Sequence, residues 1–246
     1  MSWPRRADLP RFVLCALVGH VLHISAVMYG MSLSTAFSSS LVLTCQPLFT
    51  LAILAFLGAE RLRAQQVAGT LVAFAGIALF LSDKFAAGFS RAGVGDLTLL
   101  LAGAAFSAYT VLSRPLADRY GPLIVLSYTL LFSMPVMLPI TWPFLGDVQF
   151  SALRPAVWAG VFWALVVCSF VGWLAWTWVN SVRGIARSAP FMYLMPPVAG
   201  VMAWLTLGET FTWLKIAGAI VTMAGVAWAQ FGGGTLRKEA AQPDSG

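Results

Sequence analysis

The 246-residue sequence has very few charged residues for its length: charged residues make up 10% and hydrophobic residues 59%. Ordinary globular chains contain roughly 25% charged and about 45–50% apolar residues. A soluble fold of this size cannot cover its surface with so few charges. The composition therefore excludes a soluble domain, a disordered chain and a coiled coil, and it indicates that a lipid bilayer surrounds much of the protein.

Other features that are missing limit the chemistry. The chain has no nucleotide-binding loop, no nucleophile–base pair and no zinc signature, so we expect no enzyme, no cofactor and no metal site. The 15 basic residues are scattered singly or in pairs, so we expect no nucleic-acid partner. The three cysteines, Cys15, Cys45 and Cys168, all lie inside apolar runs. Their odd number and their positions argue against a disulfide framework.

Carboxylates are also absent from the centres of the apolar runs. All nine acidic residues lie at or beyond the ends of these runs. Because a buried Asp or Glu is a common proton relay in membrane pumps, this pattern disfavours carboxylate-driven proton coupling.

Apolar stretches of about 20 residues predict eight transmembrane helices. We expect them at residues 12–33, 36–57, 66–82, 96–113, 123–142, 157–180, 185–207 and 213–231. The connections between them are short and contain turn residues, among them Arg114-Pro115 and Gly121-Pro122. Residues 232–246 are Gly-rich and then polar, and we expect them to form a disordered cytoplasmic tail.

The basic residues predict the orientation of these helices. With the N-terminus inside, eleven Lys and Arg residues lie on the cytoplasmic side and four on the opposite side. Cytoplasmic loops carry an excess of basic residues. We therefore expect a multi-pass protein of a bacterial inner membrane with both termini in the cytoplasm.

The chain contains an internal repeat. A shift of 149 residues aligns residues 26–78 with 175–227 without a gap, and eleven of the 53 pairs are identical. The identities include Pro47/Pro196, Glu60/Glu209 and two pairs of glycines. Five spans separate the copies, an odd number, so the two copies are predicted to have opposite orientations in the membrane.

The repeated motif resembles a known family. Both copies are similar to the EamA-type domain of the drug/metabolite transporter superfamily. The first copy has Leu57-Gly58-Ala59-Glu60 with Gly69 and Gly76, and the second has Leu207-Gly208-Glu209 with Gly218 and Gly225. This resemblance implies two inverted five-helix repeats and a secondary carrier, often an exporter, of small metabolites. Here residues 12–82 would supply three helices of the first repeat and residues 93–231 all five of the second. We therefore expect an all-α membrane protein with a 3 + 5 arrangement that lacks the first two helices of the family form.

Two histidines, His20 and His23, lie one helical turn apart near the middle of the first span. Polar side chains at this depth normally face the helix bundle or a cavity. Two readings of this pair stay open: hydrogen bonds between helices, or contact with substrate or a proton.

The sixth span places Trp173, Trp176 and Asn180 on one helix face. These residues could form the aromatic wall of a cavity for apolar, aromatic or cationic substrates. Alternatively, Trp173 packs in the core and Trp176 belongs to an aromatic belt at the membrane surface.

Two more polar candidates, Gln46 and Tyr193, lie beside or near Pro47 and Pro196 in corresponding helices of the two halves. Proline interrupts the helical hydrogen bonds, and paired broken helices often mark a carrier's substrate site. We assign structural roles to Pro47 and Pro196. The repeated carboxylates Glu60 and Glu209 can accept hydrogen bonds from free N–H groups at helix starts, which favours a structural role for them over the alternative of a role in gating.

These features together favour a secondary-type transporter, an exporter of a small organic metabolite that works by alternating access. We expect its substrate-binding residues to converge on one central cavity: His20, His23, Gln46, Trp173, Trp176, Asn180 and Tyr193. Its partners would be the lipid bilayer and a small-molecule substrate, and a homodimer is one possible assembly. The alternative is a non-transporting structural or regulatory membrane protein derived from a truncated carrier.

Overall fold

A computed structural model describes residues 4–58, 63–86, 91–146, 148–183 and 194–231. These residues contain no β-strand. We number the main helices α1 (Arg6–Leu33), α2 (Ala36–Phe56), α3 (Ala64–Ala86), α4 (Arg91–Tyr120), α5 (Pro122–Leu145), α6 (Pro155–Phe162, Trp163–Val171 and Gly172–Arg183), α7 (Met195–Leu207) and α8 (Trp213–Phe231). A short 3-10 turn, Phe150–Ala152, precedes α6.

The helices have the composition that a bilayer requires. In the described part of the chain, α1 to α6 are long and apolar enough to cross a membrane, while α7 and α8 are apolar but shorter. The expected all-helical membrane architecture is therefore confirmed. The arrangement of three helices in the first repeat and five in the second stays a prediction, and residues 184–193, which include the start of the predicted seventh span, lie outside the described residues.

Both ends of the fourth helix differ from those predicted by the sequence, and the prediction is wrong there. α4 begins at Arg91 rather than Asp96, and it continues through Arg114-Pro115, which the sequence predicts to be a connection. A proline inside a membrane helix is tolerated where neighbouring groups satisfy the freed carbonyl. The turn comes at Gly121, whose φ of 82° suits a residue without a Cβ, and Pro122 then begins α5.

Other helix ends move by smaller amounts. α1 begins at Arg6 rather than residue 12, and α5 ends at Leu145 rather than residue 142. α3 and α6 extend beyond both of their predicted ends. Hydropathy marks the apolar part of a helix, whereas the helical backbone continues into the polar interface. α8 has the predicted bounds, and the predicted tail, residues 232–246, lies outside the described residues.

The chain divides into two compact units. The first comprises Met1–Ser25 and Tyr109–Ser188, and the second comprises Ala26–Ala108 and Ala189–Gly246. Each unit therefore combines a segment of the first predicted repeat with a segment of the second.

The core of the first unit is largely aromatic and lies between α1, α4 and α5. Its buried members are Phe12, Cys15, Tyr109, Leu116, Val125 and Tyr128. At one end of this core, Asp8 accepts hydrogen bonds from Arg119 at 2.7 Å and from the Tyr120 hydroxyl at 2.5 Å. These bonds join the start of α1 to the end of α4. Because Arg119 is half exposed, the ion pair adds little stability.

The second unit is built on a close crossing of α3 and α8. A Cβ at Gly76 would lie 2.4 Å from the Thr222 backbone nitrogen, and one at Gly225 would lie 2.3 Å from that of Ala73. The 149-residue shift relates Ala73 to Thr222 and Gly76 to Gly225. The contact of Gly76 with Thr222 is therefore the repeat counterpart of the contact of Gly225 with Ala73. A second pair of close contacts is related by the same shift: Gly69 lies against Ala229, and Gly218 lies against Phe80. The two helices therefore exchange equivalent contacts, as across a two-fold axis.

Candidate functional site

The middle of α1 is a π-helical segment, Ala16–Leu22, and the middle of α6 is another, Trp163–Val171. The last residues of the two segments, Leu22 and Val171, are 149 positions apart in the chain, the same shift that relates the two repeats. π-Helical turns are rare and are frequent at functional sites because they change the direction of a side chain. The first segment contains His20.

His20 is buried, with 2% of its surface exposed, and its two ring nitrogens have different environments. Nε2 lies 2.9 Å from the Thr129 hydroxyl, which also lies 2.8 Å from the Val125 carbonyl. The hydroxyl has one hydrogen, and we assign it to the carbonyl, so Nε2 of His20 carries a hydrogen and donates. Nδ1 is then an acceptor, and it has no hydrogen-bond partner among the described residues.

Aromatic rings surround His20. The centroid of the Trp173 ring lies 4.7 Å from that of His20, and the Tyr109 ring lies 5.5 Å from it. Tyr109 and Trp173 are themselves 5.4 Å apart. Tyr109 approaches α1 closely because position 19 is glycine: a Cβ there would lie 2.3 Å from the Tyr109 ring. We call His20, Tyr109, Thr129 and Trp173 the histidine–aromatic cluster.

His23 lies one turn further along α1 and is also buried. Its ring centroid is 5.9 Å from that of Trp173, so the same tryptophan contacts both histidines. Among the described residues, no three His, Cys, Asp or Glu side chains come together in a group that could hold a metal ion.

The remaining predicted site residues have different outcomes. Trp176 lies on α6 and is partly buried. Asn180 lies in the last helical part of α6, but its side chain is outside the described residues, as is the whole of Tyr193. The structure thus brings together His20, His23 and Trp173 within the first unit.

Gln46 belongs to the second unit and is 7% exposed. It follows a break in α2, where helix Ala36–Leu43 ends and helix Gln46–Phe56 begins. Pro47 explains the break, because it lacks an N–H and disfavours continuous helix before it. The Gln46 carbonyl, at the start of the second helix, accepts a hydrogen bond of 2.7 Å from the Ser107 hydroxyl of α4. In the other repeat, α7 begins at Met195, directly before Pro196.

The second unit also buries a carboxylate that is not among the site residues predicted from the sequence. Asp96 is 0% exposed and accepts hydrogen bonds from the hydroxyls of Ser34 and Ser38, the latter at 2.7 Å. The apolar pattern predicts Asp96 at a helix end, where a carboxylate can remain in water. The signal in the sequence was the cluster of serines that begins α2, which supplies donors for a buried acceptor.

Glu209 lies in the turn after α7 and contacts the start of another helix. Its Oε1 accepts a hydrogen bond of 2.8 Å from the backbone N–H of Ala36, the first residue of α2. Such N–H groups have no partner within their own helix, so the carboxylate satisfies one and lies at the positive helix end. Glu60, its counterpart in the repeat, lies outside the described residues.

The histidine–aromatic cluster combines a buried acceptor that has no partner among the described residues with two neighbouring aromatic rings. A ligand N–H could donate to Nδ1 of His20, and the rings would favour a cationic or aromatic group beside it. Tyr109 and Thr129 are not among the site residues predicted from the sequence, although both are polar residues in apolar helices, where a polar group needs a partner.

Comparison with known proteins identifies the family. The EamA-like transporter family model matches residues 1–82 and 93–230. A "Probable terminal-alkyne amino-acid exporter" of Streptantibioticus cattleyicolor is 28% identical over 223 residues, covering 91% of this chain and 73% of that protein. A "Probable amino-acid metabolite efflux pump" of Salmonella typhimurium is 28% identical over 239 residues, covering 91% of this chain and 79% of the relative.

A solved crystal structure has the same fold. It superposes with a TM-score of 0.63 at 22% identity, over 96% of this chain and 79% of the other. The family match covers nearly the whole chain, and the helices have the apolar character of a multi-pass membrane protein. The protein therefore belongs to the EamA-like transporter family.

Proposed function

We propose that the protein exports a small organic metabolite of the amino-acid class by alternating access, with both termini in the cytoplasm. The observation that carries this proposal is the histidine–aromatic cluster. A buried His20 nitrogen without a partner among the described residues, beside Trp173 and Tyr109, suits the ammonium and apolar parts of such a molecule.

Two further observations support a carrier. The two relatives are named a "Probable terminal-alkyne amino-acid exporter" and a "Probable amino-acid metabolite efflux pump", and the chain covers about three quarters of their length. The two π-helical segments and the exchanged contacts of α3 and α8 both follow the 149-residue shift. Inverted repeats of this kind allow a carrier to open to either side of the membrane by equivalent movements.

The experiment measures efflux from proteoliposomes that contain the purified protein and a panel of radiolabelled amino acids. We expect efflux of at least one amino acid, and the Trp173→Ala variant should lose most of it. Trp178→Ala is the matched control, because Trp178 lies on the same helix but is 58% exposed. Replacing Gln46 with Ala should also reduce efflux.

The amount of each variant in the membrane is measured in parallel, which separates a loss of transport from a loss of protein. Equal efflux by the Trp173→Ala variant and the wild type would contradict a role for the cluster. If the wild type exports no member of the panel, the exporter proposal is wrong and the non-transporting alternative gains support.

A further inference from the structure

The second unit contains a cavity of about 290 Å³ at the helix ends around the turn after α7. It lies next to the start of α2, and its lining shares no residue with the histidine–aromatic cluster. Ligand pockets typically measure about 300–1,000 Å³, so this cavity is at the small end and fits a molecule of amino-acid size.

One wall of the cavity is aromatic. Phe37, Phe80 and Phe211 line it, with the Phe37 ring centroid 4.7 Å from that of Phe211 and 5.7 Å from that of Phe80. A molecule with an apolar side chain would bury that side chain against these rings. The aromatic faces would also attract a cationic group.

The same lining also carries both signs of charge. Glu209 contributes a carboxylate and Lys215 an ammonium group. The bond from the Ala36 N–H holds Oε1 of Glu209 at 2.8 Å, so the carboxylate is already positioned, and Oε2 retains acceptor capacity. In the part of the chain that the structure describes, the Lys215 ammonium group has no ion-pair partner.

Charge balance selects the ligand class. A carboxylic acid would use only Lys215, and an amine would use only Glu209, so each would leave one cavity charge uncompensated. A zwitterion satisfies both, with its carboxylate on Lys215 and its ammonium on Glu209. We propose that this cavity is a binding subsite for a zwitterionic amino acid with an apolar side chain.

The place of the cavity gives the subsite a function. With the N-terminus in the cytoplasm, the turn between α1 and α2 and the turn between α7 and α8 both lie on the outer face of the membrane. The subsite would then receive the exported amino acid as it leaves, or sense its external concentration. This role and the choice of ligand rest on the proposed function, whereas the binding itself can be measured separately.

The test uses isothermal titration of the full-length protein in lipid nanodiscs. Phenylalanine is compared with phenylpropionate, which lacks the ammonium group, and with phenethylamine, which lacks the carboxylate. We expect phenylalanine to bind about tenfold or more tightly than either analogue, because each analogue loses a hydrogen bond between charged groups. Binding of either analogue as tight as that of phenylalanine would overturn the proposal without any variant.

Variants identify the residues. Lys215→Gln and Glu209→Gln should each weaken phenylalanine binding about tenfold or more, while Lys215→Arg, which keeps the charge, should weaken it less. A glutamine at 209 can still accept from Ala36, so that variant keeps the bond at the start of α2. Arg154→Gln is the matched control, since it removes an exposed positive charge that does not line the cavity. Binding to Lys215→Gln equal to that of the wild type would refute the subsite.

The titration is repeated in the Trp173→Ala variant, so that binding at the histidine–aromatic cluster is not mistaken for binding here. Binding that depends on Lys215 should persist in that variant. If the protein exports amino acids but the charge variants bind normally, the subsite is wrong and the proposed function stands. If binding depends on Lys215 but no amino acid is exported, the proposed function is wrong and the subsite stands.

Discussion

Replacing Gly225 with alanine tests the close crossing of α3 and α8. The added Cβ would lie 2.3 Å from the Ala73 backbone nitrogen, 2.7 Å from its Cα and 2.8 Å from the Gly69 carbonyl oxygen. All three atoms belong to the backbone, so no side chain can rotate to make room. The two helices must therefore move apart.

The size of this movement determines how much stability the substitution costs. Carbon atoms in ordinary contact are about 3.5 Å or more apart, so the axes must separate by about 1 Å. Overpacking of this kind costs about 1–3 kcal/mol, and backbone overlap that no rotamer change can relieve is at the upper end. Alanine gains about 1 kcal/mol over glycine as a helix former. We expect the Gly225→Ala variant to be about 2 kcal/mol less stable than the wild type.

The free energy of unfolding can be measured by titration with a denaturing detergent in mixed micelles. Gly160→Ala is the matched control: Gly160 lies in α6, and apart from its chain neighbours and the backbone of its own helix, a Cβ at this position would have no atom within 4 Å. That variant should be more stable by about 0.5–1 kcal/mol, because it gains helix propensity without a clash. The two alanine substitutions should therefore act in opposite directions.

A second substitution shows whether the backbone is responsible. Combining Gly225→Ala with Ala73→Gly should not restore stability, because the nitrogen and Cα that cause the clash remain. Recovery in the double variant, or a stability of Gly225→Ala equal to that of the wild type, would refute the reasoning about this crossing.

The remaining predictions concern the buried carboxylate, the cluster and the topology. Asp96→Ala should lower the free energy of unfolding by about 1–3 kcal/mol, because it removes the acceptor of the buried Ser38 hydroxyl. Asp96→Asn keeps an acceptor, so it should lower the free energy of unfolding by less. Equal losses of stability in the two variants would contradict this reasoning. His20→Ala should reduce efflux with little change in the amount of protein, and unchanged efflux would remove His20 from the site. Reporter fusions at Gly246 and near Asp147 should report opposite sides of the membrane, the C-terminus inside; a C-terminus outside would contradict the orientation and the inversion of the repeat.

The family and the class of fold could be predicted from the sequence because a bilayer permits few solutions. Backbone groups in lipid need internal hydrogen bonds, so an apolar run of sufficient length becomes a helix. Composition and run length therefore predicted the apolar helices. The proline at position 47 also marked the break in α2, since a residue without an N–H interrupts a helix wherever the helix packs.

The boundaries of α4 show where local patterns are insufficient. Arg114-Pro115 has the residues of a turn, yet the helix continues through it and ends at Gly121. Whether a proline ends a membrane helix depends on which neighbouring groups satisfy the freed carbonyl. Those groups come from other parts of the chain, so the sequence near Pro115 cannot specify them.

For the candidate sites, too, the sequence predicts some features and only the tertiary structure shows the others. A polar residue such as His20 within an apolar run predicts by itself that the side chain turns inward, because exposure to lipid is costly. The identity of its partner required the tertiary structure: Thr129 is 109 positions away. Likewise, the sequence placed Asp96 near a helix end, but its burial depends on the start of α2. Local physics determined which residues need a partner, and packing between distant segments decided which partner each one has.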